Sequence, residues 1–423
     1  MKKVNNVFST EALEKIARDT GFLKRQRKVV PKAFLENIMF QTLNSPGSFD
    51  DLAHEFFIKN NCSISKQALQ QKFNPAASNF VQTVLDQLLE ATITESKSYL
   101  GAIDFINEVH VVDSSEIRLH NKLKDIFPQV RGQGAAIKLQ ALMNAVNNQI
   151  LLLDVRPSKE PDQAYKQHLL HIKPNDLMLG DLGYFSVESF REIKEKGAFF
   201  LSRFFKKTNL YDPQNGALID LRELLRQEKN EVVDLKVMLG ISKFSCRLVA
   251  MKLPEDAYNK RLVQLKKKHR RDPRSQAHKY DILNQWTIFI TNLPQLVVAS
   301  ILLKIYSLRW QIELLFKMMK TFLHLKKIDA RNQYRALISL KVSLIAMVML
   351  CLVTMTIVDR EISLYKACKI LVKNIGEFFE NMNNKNKNAI VWLREILYNC
   401  ALKETRQSRL STKQSLRWSD IYA

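Results

Sequence analysis

Two short apolar runs in this chain each stop on an aspartate, and this pattern limits the possible folds more than any other feature. The run EVHVVDS, Glu108 to Ser114, ends its apolar part at Asp113, and the run DLMLGDLGY, Asp176 to Tyr184, does so at Asp181. Short runs of this kind predict buried strands, and functional groups collect at the carboxyl ends of strands in an α/β sheet. Taken singly, each aspartate is more often a turn residue than a metal ligand.

The pattern from about Asn107 onward predicts an α/β core. Strands are predicted at Val109–Asp113, Ile137–Val146, Ile150–Val155, Leu177–Asp181 and Ala198–Phe204, and helices at Asp162–Ile172 and Val187–Lys196. Asn147 and Asn148 predict a hairpin turn between the second and third strands. Three strands joined by short turns, then a helix and a parallel strand, is the order of an RNase H-like mixed sheet. In that order the two aspartates lie on the first and fourth strands.

A further acidic residue lies in a long helix-forming segment, Ile301 to Leu325. We expect one uninterrupted helix here, in which steps of three, four and seven residues return to the same face within an arc of roughly 60°. The side chains on this stripe are Tyr306, Arg309, Glu313 and Lys320, with Lys317 beside them. A solvated charged face with one Arg309–Glu313 pair is the competing interpretation.

Three carboxylates that a fold brings to one point suit a hard divalent cation. Asp113, Asp181 and Glu313 offer the oxygen ligands that Mg²⁺ and Mn²⁺ prefer, and these ions keep water or phosphate oxygens in their other positions. The net charge agrees with a phosphate partner, since 65 Lys and Arg against 42 Asp and Glu give +23. We therefore expect a nucleic acid partner, although charge alone does not exclude a membrane surface.

Cysteine usage and apolar runs bear on where the protein works. The five cysteines are scattered without CxxC spacing, which fits a reducing cytoplasm and argues against a zinc site. The basic N-terminus lacks the apolar core of a signal peptide. The uncharged run Val342 to Val358 is at the short end for a membrane span, so a buried core helix is the favoured interpretation. We expect a cytoplasmic protein that does not enter a membrane.

Changes of pattern along the chain predict an order of five segments. These are a helical N-terminal domain (about 1–100), a first core part (101–205), a β-rich insertion (206–297), a second core part with the Glu313 helix (298–358) and a helical C-terminal region (359–423). The insertion is predicted to contain strands at Val232–Leu239, Phe244–Leu253 and Trp286–Thr291.

A pair of short helices in the N-terminal domain is a candidate DNA-binding element. Ser48–Ile58 and Ser65–Phe73 are predicted to be helices with serine N-caps, an arrangement that resembles a helix-turn-helix. The polar residues of the second helix that would face a groove are Lys66, Gln67, Gln70 and Gln71.

The insertion offers further candidate contacts. Its basic stretch, Lys260 to Lys279, includes Lys267 and Arg270, which would follow a phosphate backbone; a disordered charged run fits equally well. Trp286 of the insertion and Trp310 of the Glu313 helix offer rings that can stack on an unpaired base, although a core position is the usual expectation for tryptophan.

These blocks together resemble bacterial insertion-sequence transposases of the DDE superfamily, and more narrowly the insertion-sequence-four family with its Tyr-Arg-Glu-Lys signature. The resemblance extends over roughly residues 20 to 330. It is carried by VVDSSEIRL at Asp113, GDLGYF at Asp181, the series from Tyr306 to Lys320, TGFLKRQRK and TNLP. It implies that Asp113, Asp181 and Glu313 bind metal, two Mg²⁺ ions for which Mn²⁺ can substitute. It also implies that Tyr306, Arg309 and Lys320 contact DNA near the scissile phosphate.

The activity implied by the resemblance is metal-dependent strand cleavage at insertion-sequence ends and strand transfer to target DNA. The implied partners are double-stranded DNA, as terminal inverted repeats and target, and a second copy of the chain in a synaptic homodimer at the bacterial nucleoid. In hairpin-forming relatives a tryptophan of the insertion takes a flipped base, and Trp286 is the matching position. Two alternatives stay open, namely an RNase H-like metal nuclease without strand transfer and an inactive DNA-binding remnant.

Overall fold

The computed structural model describes residues 6–25, 28–44, 47–95, 105–130, 132–271, 281–384 and 387–404, and the side chains of 92–95 and 268–271 lie outside that description. The chain folds as two compact units, each assembled from separated segments. The first unit comprises Met1–Ser98, Asp113–Glu160 and Trp310–Ser411. The second comprises, among the described residues, those within Tyr99–Val112 and Pro161–Arg309.

Helices dominate both ends of the described chain, and the strands lie between residues 109 and 328. The helices are α1 (Thr10–Asp19), α2 (Pro31–Asn44), α3 (Phe49–Asn60), α4 (Lys66–Lys72), α5 (Pro75–Glu95), α6 (Val187–Glu195), α7 (Leu221–Gln227), α8 (Glu255–Arg271), α9 (Ala299–Ser307), α10 (Trp310–Phe322), α11 (Gln333–Met355), α12 (Leu364–Lys373), α13 (Ile375–Asn383) and α14 (Ala389–Cys400). The strands are β1 (Val109–Leu119), β2 (Ala135–Asn144), β3 (Ile150–Pro157), β4 (Leu177–Gly180), β5 (Phe199–Arg203), β6 (Leu210–Tyr211), β7 (Val232–Leu239), β8 (Phe244–Lys252), β9 (Trp286–Thr291) and β10 (Lys327–Ile328).

Serine caps define the starts of the two short helices predicted in the N-terminal region. The Ser48 hydroxyl accepts from the backbone N–H of Asp51, whose carboxylate accepts in return from the backbone of Ser48, forming a capping box at α3. Ser65 caps α4 in the same way by accepting from the N–H of Ala68. Helix α3 ends at Asn61, whose left-handed φ of 48° turns the chain toward α4. Both predicted helices and both N-caps are therefore confirmed.

Helix α11 forms the centre of the first unit and packs against α5 and α2. It is long and apolar enough to cross a membrane by length and composition, yet 89% of its most apolar 18-residue stretch is buried inside the protein. Apolar side chains cover all sides of this helix, as expected for a helix that is buried among other helices. The structure thus agrees with the prediction of a buried core helix, and Lys341 is the charged residue on it that is buried.

Strand β1 contributes to both units. In the first unit β2 lies between β3 and β1, with β2 and β3 antiparallel, while β10 adds to β1 through the parallel partners Arg118↔Lys327 and Leu119↔Ile328. In the second unit the order is β1-β4-β5-β9-β8-β7-β6, with β4 parallel to β1 and to β5. The neighbours β3-β2-β1-β4-β5 confirm the RNase H-like mixed sheet, and the strands β6 to β9 lie beyond β5 on the insertion side.

One predicted helix is wrong. Residues Asp162–Ile172 form two short 3₁₀ segments, Asp162–Ala164 and Gln167–His171, rather than an α-helix. Tyr165 between them is extended, and its ring is buried at 2% exposure. The extended backbone at Tyr165 separates the two 3₁₀ segments, so no continuous helix forms across residues 162–172.

The expected single helix from Ile301 to Leu325 is also wrong. Helix α9 ends at Ser307 and α10 begins at Trp310, because the N–H groups of Leu308 and Arg309 bond to carbonyls three residues back instead of four. Tyr306 therefore lies on α9, Arg309 in the tight turn, and Glu313 and Lys320 on α10. The spacing along one helix therefore cannot be used to align Tyr306 and Arg309 with Glu313 and Lys320.

Candidate active site

Asp113 and Asp181 each follow a residue of one register pair. Val112 of β1 pairs with Gly180 of the parallel strand β4, and an aspartate comes next in the chain in both cases. The Asp113 carboxylate accepts from the N–H of Ser114 at 2.8 Å and is half-buried. Asp181 precedes a 3₁₀ turn, but its exposed side chain makes no capping hydrogen bond. The Asp181 carboxylate therefore does not cap the turn.

In the second unit, Tyr306 lies against the strand that leads to Asp181. The Tyr306 hydroxyl donates to the carbonyl oxygen of Gly180 at 3.3 Å. Its ring is 6% exposed and lies 4.9 Å from the ring of Phe289 on β9, centroid to centroid. Burial raises the pKa of this phenol to about 12, so the side chain is neutral at physiological pH and acts as a donor.

Two guanidinium groups accompany this tyrosine. Arg203, the last residue of β5, places its guanidinium carbon 5.5 Å from the centre of the Tyr306 ring, and Arg309 places its own at 5.9 Å. Their positive charges lower the phenol pKa, whereas the charge of Asp181 raises it, and both effects are smaller than that of burial. Tyr306, Arg309, Arg203 and Asp181 therefore form one electrostatic group within the second unit.

In the first unit, Lys320 lies in the field of Asp113. Burial lowers the pKa of the Lys320 ammonium, the carboxylates of Glu116 and Asp113 raise it, and Arg118 lowers it, with burial the largest effect. The lysine occupies the last turn of α10, where the helix dipole favours a cation. Within this unit, the charges of Glu116 and Asp113 therefore act on the Lys320 ammonium.

Glu313 lies in the first turn of α10, where the positive end of the helix dipole favours a carboxylate. It is half-buried, and its side chain takes part in interactions within the structure. Lys317, one turn later, is exposed. The turn at residues 308 and 309 means that Glu313 lies on α10 and Tyr306 on α9, rather than on one continuous helix as predicted.

The candidate DNA contacts of the N-terminal region lie on α4. Lys66, Gln67 and Gln70 are exposed there, as the groove-facing interpretation requires. The Lys66 ammonium forms an ion pair with Asp50 of α3 at 2.5 Å. An exposed pair of this kind contributes little to stability, so it leaves the lysine able to exchange partners.

In the insertion, Lys267 is exposed on helix α8, so the first part of the basic stretch is helical rather than disordered. The side chain of Arg270 and the residues 272–280 lie outside the described part of the chain.

The two tryptophans have opposite environments. Trp286 is 2% exposed and opens strand β9, whereas Trp310 is 55% exposed at the start of α10. The Trp286 Nε1 atom is buried, and among the described residues it has no hydrogen-bond partner. Trp286 also lies on the wall of a cavity of about 640 Å³ in the second unit. The cationic side chains of this cavity are Arg203, Lys206, Lys207, Arg222 and Arg261.

Sequence reasoning missed Arg203 and Glu116. Arg203 ends strand β5, which is parallel to β4, so the rule that directs attention to Asp181 would also have found this residue. Glu116 lies in the VVDSSEIRL block three residues after Asp113, but nothing in the sequence indicates that its charge acts on Lys320.

Comparison with known proteins adds a family and several relatives. The model of the family described as the transposase DDE domain matches residues 105–349. The transposase for insertion sequence element IS231F of Bacillus thuringiensis subsp. israelensis is 25% identical to the chain, covering 98% of it and 93% of the relative. The transposase for insertion sequence element IS1151 of Clostridium perfringens is 24% identical, covering 88% of the chain and 85% of the relative.

A solved structure is also similar to the chain. It is a cryo-EM structure of the piggyBac transposase synaptic complex with hairpin DNA, at a TM-score of 0.48 and 10% sequence identity, covering 96% of this chain and 86% of that one.

Proposed function

Because the chain belongs to the transposase DDE domain family, a family of DNA-processing enzymes that generally use divalent metal ions, we propose that Asp113, Asp181 and Glu313 hold those ions. The observation that supports this most strongly is the register pair Val112↔Gly180, since an aspartate follows each member. The donor set fits the group, because three carboxylates at exposed or half-buried positions offer hard oxygen ligands.

The proposed ions are two Mg²⁺, with Mn²⁺ able to substitute. When bound, such ions act as Lewis acids that activate a water and stabilise a leaving 3′ oxygen at a phosphodiester. The protein's own residues supply the rest. Arg309 grips a phosphate oxygen pair through its planar guanidinium, and Lys320 neutralises phosphate charge as a point cation. The neutral Tyr306 hydroxyl holds the backbone of Gly180 in place, and Lys317 reaches the phosphate backbone from the exposed face of α10.

The proposed reaction joins two displacements at one site. In the first, water attacks the phosphodiester at the end of the element, and the bond to the 3′ oxygen breaks. In the second, the freed 3′ hydroxyl attacks a phosphodiester of the target DNA, so one phosphoester bond forms as another breaks. The substrates are the terminal inverted repeats and the target duplex, and the acting species is a homodimer in a synaptic complex.

Further DNA contacts are proposed outside this centre. Lys66, Gln67 and Gln70 of α4 read the repeat end, and Lys267 and Arg270 follow its phosphate backbone. For Trp286, a base taken from the duplex would enter the cation-lined cavity whose wall this residue forms. Two observations support this proposal for Trp286. Its buried Nε1 atom lacks a hydrogen-bond partner among the described residues, and cationic side chains outnumber acidic ones in the cavity wall.

The test is a gel assay of the purified full chain with a labelled duplex that carries the inverted repeat flanking its own gene. The reactions contain Mg²⁺, Mn²⁺ or EDTA, together with an unlabelled target plasmid. We expect nicking at the repeat boundary and joined products with either metal and none with EDTA. Cleavage without joining would indicate a nuclease, and specific binding without cleavage in any metal would indicate an inactive remnant.

A further inference from the structure

Arg335, in the first turn of α11, contacts the residues that begin α3. Its guanidinium carbon lies over the Phe49 ring, 4.1 Å from the ring centre. Its Nη2 atom donates to the carbonyl of Gly47 and, at 3.5 Å, to the side-chain oxygen of Gln41. The N-cap of α11, Asn332, accepts from the N–H of Arg335 at 3.0 Å and so fixes the backbone at this arginine. Arg335 thus joins the central helix of the first unit to the start of α3.

The groups around Gly47 are packed closely. Gln41 is 8% exposed, and its side-chain amide donates to the carbonyl of Ser48 at 3.0 Å. A Cβ atom at position 47 would come within 2.8 Å of the Asp51 Oδ2 atom and 2.9 Å of the Gln41 Nε2 atom, distances that real Cβ atoms do not reach without a shift of the neighbours. The same Asp51 carboxylate closes the capping box of α3. The carbonyl to which Arg335 donates therefore belongs to a well-defined turn.

The Phe49 ring also contacts the end of α4. Its centre lies 5.1 Å from that of the Phe73 ring, in an edge arrangement. Phe73 is the C-cap of α4, is 4% exposed and lies 5.7 Å from the ring of Phe34 on α2. Helix α4 is only seven residues long, and Leu69 is its buried residue, so its orientation depends on contacts such as these. The contacts of Arg335 with Phe49, and of Phe49 with Phe73, therefore connect α11 to α4.

The connection between α10 and α11 makes a second contact with this region. The Nε2 atom of His324 lies 3.2 Å from the carbonyl oxygen of Leu43, near the end of α2. His324 follows the end of α10 by two residues and has a left-handed φ of 57°. Both ends of the segment from His324 to Arg335 thus contact the connection between α2 and α3. The helix that carries Glu313 is joined to α11 by this same segment.

We propose that Arg335 is a positioning residue that fixes the α3–α4 pair on α11, so that the polar side chains of α4 meet the repeat end in one orientation. This inference rests on the proposed function, in which α4 reads the repeat. A guanidinium suits the position, because its N–H groups donate in its plane while its face covers a ring. Base contacts require a defined orientation, whereas non-specific binding rests on charge. Loss of Arg335 should therefore weaken specific binding more than non-specific binding.

The direct test compares the binding of the full chain to the repeat duplex and to an unrelated duplex, by fluorescence anisotropy at one salt concentration. Arg335→Met keeps an unbranched apolar stem but removes the donors and the charge. We expect it to bind the repeat about tenfold more weakly and the unrelated duplex within about twofold of the unmodified chain. Phe49→Leu should change the ratio of the two affinities in the same direction. Because the two residues act together, the double variant should be no weaker than the weaker single variant.

A matched control removes an arginine of the same kind from another part of the first unit. The guanidinium carbon of Arg360 lies 4.0 Å from the centre of the Tyr398 ring on α14, so Arg360→Met also loses a cation over an aromatic ring. This variant should keep both affinities. Hydrogen exchange read by mass spectrometry should be about tenfold faster in peptides of α3 and α4 in Arg335→Met, and unchanged in peptides of α6. Should Arg335→Met fail to fold, Phe49→Leu must show the loss of repeat preference by itself.

Kinetics separate positioning from a direct role in the reaction. Arg335→Met should raise the KM for cleavage of the repeat duplex by about tenfold and leave kcat unchanged. A fall in kcat at constant KM, an equal weakening on both duplexes, or an unchanged repeat preference would each overturn the inference. Absence of any repeat preference in the unmodified chain would instead contradict the proposed role of α4. The hydrogen exchange of α3 and α4 would then still decide whether Arg335 fixes this pair.

Discussion

The hydroxyl of Tyr306 donates a 3.3 Å hydrogen bond to the carbonyl of Gly180, the residue immediately before Asp181. A side chain of α9 thereby fixes the end of strand β4 from which an acidic candidate residue projects. The signature tyrosine thus supports the end of β4 with its hydroxyl proton, while its contact with DNA stays a prediction.

Replacing Tyr306 separates the hydrogen bond from the packing of the ring. We expect Tyr306→Phe to lower the free energy of unfolding by about 1 kcal/mol, the usual net contribution of one hydrogen bond. Tyr306→Ala should cost roughly 3–5 kcal/mol, because it also removes the buried ring packed against Phe289. Urea unfolding followed by circular dichroism checks both values. Equal losses in the two variants would show that the ring contributes nothing.

The two tryptophans should respond differently to truncation. Trp286→Ala removes a ring that is 2% exposed, so we expect a loss of roughly 3–5 kcal/mol in stability and a clearly lower Tm. Trp310→Ala removes a ring that is 55% exposed and should leave the Tm almost unchanged. Differential scanning calorimetry of the two variants makes the comparison. A large fall in Tm for Trp310→Ala would contradict the exposed position of this ring.

Lys341 makes stability depend on alkaline pH. Its ammonium donates to the backbone oxygen and the hydroxyl of Ser78, at 3.0 and 2.9 Å, and burial lowers its pKa to about 8, with the Asp86 charge opposing the shift. The unfolded chain, with an ordinary lysine pKa of roughly 10.4, binds more protons between these two values. Stability contributed by this site therefore rises with pH across that window, as the folded state loses a charge that burial disfavours.

The change Lys341→Met isolates this effect. We expect the free energy of unfolding of the unmodified chain, relative to Lys341→Met, to increase by about 2–3 kcal/mol from pH 7 to pH 10. Urea titrations of both proteins at the two pH values give the difference directly. A difference that stays constant or falls with pH would contradict the assigned shift.

Helix α4 is expected to read the repeat end. The double change Gln67→Ala with Gln70→Ala should weaken binding to the specific repeat by about 1–3 kcal/mol per lost base contact and leave binding to unrelated duplex nearly unchanged. Gln214→Ala, an exposed glutamine in a turn of the second unit, serves as the control. Fluorescence anisotropy at fixed salt concentration checks this. Equal losses on both duplexes would assign the helix to non-specific contact.

The strands of the sheet were predictable because their patterns are local. The bounds of β7 and β9 match the predicted Val232–Leu239 and Trp286–Thr291, since apolar runs bounded by turns carry the needed information. The two-residue strands β6 and β10 were not predictable, because each exists only by pairing with a distant strand, β7 and β1 respectively. The predicted division into five segments stays a prediction.

The candidate site was only partly predictable for a similar reason. Asp113 and Asp181 could be found as the ends of apolar runs, and α4 and its cap as a local capping pattern. The turn at Leu308 and Arg309 could not be found, because both residues are compatible with a helix and only their amide bonds to carbonyls three residues back reveal the break. The effect of the Glu116 charge on the pKa of Lys320 depends on two elements far apart in sequence, so no local pattern contains it.

The most direct test of the central claim is the cleavage of a repeat-end duplex by Glu313→Gln in Mg²⁺, measured beside its binding to the same duplex. Glu395→Gln, an exposed glutamate on α14, serves as the matched control. We expect Glu313→Gln to lose cleavage by at least about 100-fold while it keeps its affinity for the repeat, because a neutral amide is a far weaker ligand for a divalent ion. Cleavage at the rate of the unmodified chain, or loss of cleavage and binding together, would contradict the role assigned to Glu313.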